Sequence, residues 1–311
     1  MNSQPTQAEI RQLTANDNPD EVWAKAKKIV RHINPDYDFA LACAAYNDVL
    51  RVFRGQYPGY CAIKTPYHNL YHTLDVFICA LRLAHGVHVS GTLLSARDIT
   101  LIMLATLMHD IGYAQALAEE SGTGAQYTLT HVGRGIKFMR QYLLENKFSS
   151  ADANTVANLM NSTNPLMEFD EIDFPDQHTR TLSQIVGTAD IVGQMADRIY
   201  LEKLLFLYLE FKEARFEHFA STHDLLLQTK NFYDVTRENK LEGAFQAIYK
   251  KFTHHFKIYM GTENNYYLEA IEQNLSYLSK VISQNEAERL AMLKRGGIVE
   301  QSQAQRENPK A

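Results

Sequence analysis

The chain has 311 residues, of which 45% are hydrophobic and 22% are charged, as in globular proteins with a large core. Its formal net charge of −5 gives no reason to expect binding to nucleic acid or to an anionic membrane. The three cysteines, Cys43, Cys61 and Cys79, form no CxxC pair, which argues against a disulfide framework or a cysteine zinc site. No signal-peptide core and no apolar run of about 18 residues is present, so a soluble cytoplasmic protein is expected.

The predicted elements are all helical, because no region alternates with period two and glycine and proline are few. We expect one all-α domain over 21–295, a flexible segment over 1–20 and a polar, disordered C-terminal tail over 296–311. A helix–loop–helix is expected over 213–240. The other helices are predicted at about 20–33 (capped by Asp20), 37–53, 67–85, 95–110 (capped by Ser95), 130–145, 150–161, 179–211, 241–259 and 264–295.

The run Leu101–Gly112, LIMLATLMHDIG, is apolar on every side of a helix and therefore predicts a buried helix. It ends in His109 and Asp110. An ionised aspartate is costly in such a place unless something compensates its charge, and a divalent cation is the simplest compensation. A plain hydrogen-bonded His–Asp pair, or an aspartate that caps the helix, is the alternative, and the dipeptide alone favours it.

A second predicted helix carries a polar stripe. His68, His72 and Asp75 are spaced four and three residues apart, opposite an apolar face. This spacing permits a shared site but does not prove one, and for a surface helix a solvated polar face is the usual explanation.

Four residues on predicted helices form a candidate metal site: His72, His109, Asp110 and Asp190. Two imidazoles and two carboxylates suit one or two divalent ions, and the residue types do not distinguish Mn²⁺, Fe²⁺, Zn²⁺, Mg²⁺ and Co²⁺. Such an ion lowers the pKa of bound water and so supplies hydroxide near neutral pH. His68, one turn before His72, is placed to protonate a leaving oxygen.

Three motifs resemble a known enzyme family. Residues 67–72, YHNLYH, followed by Asp75-Val76, look like the YHNxxHxxDV signature of the class I cyclic nucleotide phosphodiesterases. Residues 107–110 and 189–191 are similar to two further metal motifs of that family, in the same order, and the resemblance spans about residues 60–210. The resemblance, which extends to the broader HD-domain metal phosphohydrolases, implies His72, His109, Asp110 and Asp190 as metal ligands and His68 as the catalytic acid.

The chain also departs from the family pattern. After the HD pair the phosphodiesterases have x-Asp-His-Pro-Gly, whereas residues 111–114 here are IGYA, the form seen in many bacterial HD hydrolases. His131 resembles a later family histidine. It is expected either to contact a second metal or the phosphate, or to be an ordinary N-terminal helix residue. Gln194 and Gln246 are candidates for the family's purine-binding glutamine, although neither lies in a matching motif.

The expected function is therefore a metal-dependent phosphohydrolase, in particular a phosphodiesterase that hydrolyses a cyclic nucleotide or related diester with metal-bound hydroxide. A phosphomonoesterase on the same scaffold and a catalytically silent nucleotide-binding sensor are the alternatives. The expected partner is a small nucleotide or phosphodiester, and the last long helix leaves a homodimer open. Of the other histidines, His85 is expected at the surface, and His254 and His255 are expected to be structural or exposed.

Overall fold

The structure, a computed structural model, describes residues 16–119 and 121–307. Within these residues 71% are helical and there is no β-strand, which confirms the predicted all-α fold. The thirteen α-helices are α1 (Pro19–Ile33), α2 (Ala40–Phe53), α3 (Leu70–Val89), α4 (Ala96–Met108), α5 (His131–Glu145), α6 (Ser150–Asn161), α7 (Gln177–Met195), α8 (Tyr200–Glu213), α9 (Thr222–Thr236), α10 (Phe252–Met260), α11 (Tyr266–Ile282), α12 (Glu286–Met292) and α13 (Ile298–Glu307).

Helix α3 is the centre of the fold. It packs against α1, α4, α7 and α10, and every residue from His72 to Val87 is buried. The predicted polar stripe of this helix is therefore an internal face rather than a solvated one. Among the described residues, no helix has the length and apolar character needed to cross a membrane.

Helix α4 is the buried helix predicted from the LIMLATLMHDIG run. Ser95 caps it in a capping box with Asp98, as expected, and its residues from Leu101 to Met108 are all buried. The helix ends at Met108, so His109 is its C-cap and Asp110 begins a short 3₁₀ turn, Ile111–Tyr113. The sequence prediction that these two residues lie on the helix is wrong by one or two positions.

The prediction of one continuous helix over 179–211 is wrong. The structure has two helices there, α7 and α8, with a bend between them. Asp197 Oδ1 accepts a hydrogen bond from the Ile199 backbone N–H. Such local side-chain bonds compete with helix continuation. The Asn274 side chain of α11 also donates to the Met195 and Asp197 carbonyls, which holds the bend against the rest of the protein.

Four other predicted boundaries are corrected. The cap of α1 is Asn18 rather than Asp20, α2 starts at Ala40, and the predicted helix–loop–helix over 213–240 is a loop followed by α9. A π-helical segment, Arg237–Ala244, and left-handed backbone at Gln246 and Ala247 replace the first part of the predicted 241–259 helix.

The last predicted helix and the tail also differ. Asn285 starts a new helix, so 264–295 divides into α11 and α12. The predicted disordered tail contains α13, which buries Ile298 and Val299 and packs against α8. Most of the predicted flexible segment 1–20 lies outside the described residues.

Two histidines meet inside the fold, where α3 contacts α10. The His85 and His255 Nδ1 atoms lie 3.1 Å apart, and both residues are buried. The prediction that His85 lies at the surface is therefore wrong. Burial, reinforced by the nearby His32 and His88 charges, lowers the pKa of His85 to about 4. Because an unfolded histidine has a pKa of about 6.5, acid favours the unfolded state.

We expect His85→Gln to reduce the acid sensitivity of folding. The stabilisation from neutral His85 is complete above about pH 6.5 and is lost as the pH falls towards about 4, at a rate of at most about 1.4 kcal/mol per pH unit. Urea unfolding measured between these pH values should show a shallower loss of the free energy of unfolding in the variant. The control is His218→Gln, at an exposed histidine. Equal slopes for His85→Gln and wild type would contradict this assignment.

Gly112 lets the turn after Asp110 lie directly on α5. A Cβ added there would lie 1.8 Å from the His131 carbonyl oxygen and 2.6 Å from the Gly135 nitrogen. Both are backbone atoms, so Gly112→Ala must push α5 away and should lower the free energy of unfolding by at least about 2 kcal/mol.

The matched control for Gly112→Ala is Gly133→Ala, in the helix α5 that Gly112 contacts, where an added Cβ meets nothing within 4 Å. Alanine is a better helix former than glycine, so this change should leave stability equal or higher by up to about 1 kcal/mol. Thermal unfolding of both variants tests the pair. A Gly112→Ala protein as stable as wild type would refute the close approach.

Candidate metal centre

The side chains of His72, His109 and Asp110 converge in the interior, with their ligand atoms all within 4.8 Å of one another. Asp110 Oδ2 lies 3.3 Å from both His72 Nε2 and His109 Nε2, and the two Nε2 atoms are themselves 3.3 Å apart. All three residues are buried. The fold thus brings together three of the ligands that the sequence predicts. They come from the first turn of α3 and from the end of α4.

Capping determines how these residues face the centre. The Asn69 side chain accepts hydrogen bonds from the Tyr71 and His72 N–H groups, so α3 starts at Leu70 and His72 lies in its first turn. His109 Nδ1 lies 2.8 Å from the Thr106 carbonyl oxygen and donates to it. In a neutral imidazole this leaves the Nε2 lone pair directed at the cluster, the usual arrangement of a metal-binding histidine.

Asp190 joins the cluster from α7. Its Oδ1 is 3.4 Å from His72 Nε2 and 3.8 Å from His109 Nε2. Its side chain is 16% exposed, whereas those of His72, His109 and Asp110 are at most 5% exposed. Asp190 therefore lies on the solvent side of the candidate centre.

Of two further candidate residues, His131 lies beside the centre and Asp75 does not. His131, the first residue of α5, places Nε2 3.5 Å from Asp110 Oδ1, while its Nδ1 donates to the Thr128 carbonyl at 2.6 Å. Asp75 instead accepts a hydrogen bond from Asn16 at 2.8 Å and lies 4.0 Å from Lys203. The stripe of His68, His72 and Asp75 thus divides, and its last member stabilises packing away from the centre.

One observation indicates that these four side chains suit a bound cation. Asp110 Oδ2 is fully buried and accepts no hydrogen bond from the described residues, although two imidazole nitrogens lie 3.3 Å away. Leaving a buried carboxylate oxygen without a partner is costly. A divalent ion held by His72, His109, Asp110 and Asp190 would satisfy that oxygen and use both nitrogen lone pairs.

The charges in the cluster depend on one another. Burial alone would raise the pKa of Asp110, but the neighbouring His109, His68 and His72 hold it well below its ordinary value. Burial likewise opposes protonation of His109, but Asp110 and Asp190 raise its pKa to about 9. A proton and a divalent cation therefore compete for His109 Nε2, and a metal that binds there must displace the proton.

His68 lies before α3 rather than on it, and Glu210 of α8 holds it. Glu210 Oε2 is 2.5 Å from His68 Nδ1, and Oε1 accepts hydrogen bonds from the Tyr67 and His68 backbone N–H groups at 2.6 and 3.2 Å. The Tyr113 ring stacks on the imidazoles of both His68 and His131, with centroids 4.9 and 4.6 Å away, and these two imidazoles lie 6.1 Å from each other. This arrangement fixes the ring of His68 beside the cluster, and its side chain is 16% exposed.

Glu210 is the functional candidate that the sequence interpretation missed. It lies in LEKLLFLYLEF, whose helical stripe of Leu, Tyr and Phe predicts core packing. The available signal was a glutamate within that apolar stretch, because a buried carboxylate needs a partner. Its partner, however, is more than a hundred residues away in the chain, and local spacing does not show it.

The two glutamines considered for purine binding are placed differently. Gln194 Oε1 accepts a hydrogen bond from the Tyr67 hydroxyl at 2.7 Å, and its Nε2 donates to the Asp190 carbonyl at 3.1 Å. Both ends of its amide are therefore engaged in hydrogen bonds within the protein. Gln246 is exposed and has left-handed backbone geometry, with φ of 50°.

Residues 116–260 match the model of a family described as Npun_R2479-like. The matched region is less than half of the chain, and the family's description names no activity. It contains His131, Asp190 and Glu210, but it begins after His72, His109 and Asp110. The chain matches no curated protein.

We expect the wild-type protein to bind a divalent ion and Asp110→Asn to bind it much more weakly. The substitution removes the charged oxygen shared by the cluster, and it should lower affinity at least about 10-fold. Metal content after dialysis, and the rise in melting temperature on adding Mn²⁺ or Zn²⁺, measure the effect.

The control for metal binding is Asp173→Asn, which removes a carboxylate from an exposed loop. Because His109 must release a proton when the ion binds, the affinity of the wild type should also fall as the pH is lowered below about 9. Equal metal content in wild type and Asp110→Asn would exclude this cluster as the binding site.

Proposed function

We propose that the protein is a metal-dependent phosphohydrolase that acts on a phosphodiester such as a cyclic nucleotide. The observation that supports the proposal most strongly is the buried convergence of His72, His109 and Asp110, with Asp190 on the solvent side. This donor set is of the kind that holds a divalent ion with positions left for water and substrate. The ion would lower the pKa of water there and neutralise charge on the phosphoryl group.

The surrounding residues have separate tasks in this proposal. His68 donates a proton to the leaving oxygen, because its ring lies beside the cluster and is accessible. Glu210 acts through His68. It binds Nδ1, directs Nε2 away from itself, and favours the protonated imidazole that a general acid requires.

His131 and Tyr113 shape the opposite side of the centre. The Nδ1 of His131 is committed to the Thr128 carbonyl, so its Nε2 remains directed at Asp110 Oδ1. Tyr113 packs against both His68 and His131, whose rings are tilted by 33° with centroids 6.1 Å apart. In this proposal His131 orients Asp110 or meets the phosphoryl group, and Tyr113 keeps His68 in place.

The proposal predicts hydrolysis of bis(p-nitrophenyl) phosphate in the presence of Mn²⁺. Asp110→Ala should abolish turnover, because it removes the shared carboxylate of the centre, and Asp173→Asn should leave it unchanged. Parallel assays with p-nitrophenyl phosphate separate a diesterase from the monoesterase alternative. No turnover of either compound by protein with measured metal content would contradict the proposal and favour the silent nucleotide-binding sensor.

The roles of His68 and Glu210 predict a dependence on the leaving group. p-Nitrophenolate barely needs protonation, so His68→Ala should reduce its release little. Release of the alkoxide of a 3′,5′-cyclic nucleotide should fall by about 10²-fold or more. Glu210→Gln should follow the same pattern with a smaller loss and a changed pH profile. Equal losses on both substrates would show that these residues only maintain the structure.

A further inference from the structure

Lys240 is a half-buried lysine that the candidate centre described above does not include. It lies in the π-helical segment Arg237–Ala244, and its ammonium group forms no hydrogen bond or ion pair with the residues that the structure describes. Other lysines in this part of the chain are paired: Lys230 with Asp234 and Lys250 with Glu242. A partly buried ammonium group without a counterion is costly, so its retention calls for an explanation.

The π-helical segment is held against α7, the helix that carries Asp190. Gln184 Nε2 donates to the Ala244 carbonyl at 3.0 Å. Phe245 fills the place of a side chain at Gly187, where an added Cβ would lie 2.6 Å from its ring. Gly187 is one turn before Asp190, so these contacts hold the C-terminal end of the segment against the part of α7 that leads to Asp190. π-Helical turns often occur at functional sites for this kind of positioning.

The electrostatic surroundings agree with this placement. Burial lowers the pKa of Lys240, and the charges of Asp190 and Glu168 act in the opposite direction. Asp190 is thus close enough to influence Lys240, yet no ion pair joins them. An anionic group of a ligand, held between the ammonium group and the centre, would account for both facts.

We propose that Lys240 binds an anionic oxygen of the ligand and so selects a phosphodiester monoanion. The inference rests on the proposed function for the identity of the ligand. The charges support it: Asp110 and Asp190 would balance one divalent ion, and the ammonium group of Lys240 adds a positive charge that complements the single negative charge of a diester.

The test is binding of dimethyl phosphate, a diester monoanion that resists hydrolysis, and of inorganic phosphate to the metal-loaded full chain. Ligand-observed NMR in the presence of Mg²⁺ or Zn²⁺ measures affinity without requiring turnover. Lys240→Gln should weaken dimethyl phosphate binding about 10-fold, and Lys240→Arg should retain most of it. Added salt should weaken binding to wild type more than binding to Lys240→Gln.

The matched control is Lys230→Gln, which removes an exposed lysine from α9 and should not change binding. Lys240→Gln should unfold at the same or a higher temperature than wild type, because it removes an unpaired charge. If that variant does not fold, Lys240→Met provides the same comparison. Equal affinities in wild type and the neutral variants, or no binding by wild type, would overturn the inference.

The result also separates this inference from the proposed function. Lys240-dependent binding of dimethyl phosphate without hydrolysis of bis(p-nitrophenyl) phosphate would support an anion site at Lys240 and overturn the phosphohydrolase. Hydrolysis by wild type that Lys240→Gln leaves unchanged in kcat and KM, together with unchanged binding, would support the phosphohydrolase and overturn the role of Lys240.

Discussion

The charge on Asp110, buried where α4 ends, is the constraint on which the centre depends. Its Oδ2 has no hydrogen-bond donor among the described residues, although His72 and His109 lie 3.3 Å away. A carboxylate in such surroundings must be compensated by protonated imidazoles or by a cation. The pKa values of His109 and Asp110 move in opposite directions for this reason, and the same arrangement makes the cluster a good host for a divalent ion.

Rigid helices hold the groups around Asp110, and short-range bonds at their ends set the orientations. Asn69 determines where α3 begins, and the Thr106 and Thr128 carbonyls orient the rings of His109 and His131. Gly112 permits the close contact that brings His131 towards Asp110. Contacts between distant segments add the surroundings: Glu210 reaches His68 from α8, and the π-helical segment that contains Lys240 is hydrogen-bonded to α7, the helix of Asp190. The centre is thus assembled from positions distributed over most of the domain.

The sequence predicted more of the buried centre than of its surroundings. His72, His109, Asp110 and Asp190 could be chosen because polar residues in strongly apolar helices need partners, and the structure brings these four together. Asp75 had the same spacing signal but meets Asn16 and Lys203 instead. Spacing shows which face of a helix a residue occupies, and it does not show which neighbour meets that face. Glu210 and Lys240 were missed for the same reason.

Local patterns by themselves determined the all-α class, the buried character of α4, and the bounds of α5 and α6. Each depends on apolar periodicity within a short stretch of the chain, and α4 and α6 also begin at serine capping boxes. Only the tertiary structure decided the bend at Asp197, the packing of α13 on α8, the pairing of His85 with His255, and the partners of His68. These features depend on contacts between segments distant in sequence, where packing overrides local preference. The free energy of such contacts is a property of the assembled core, and local sequence patterns do not contain it.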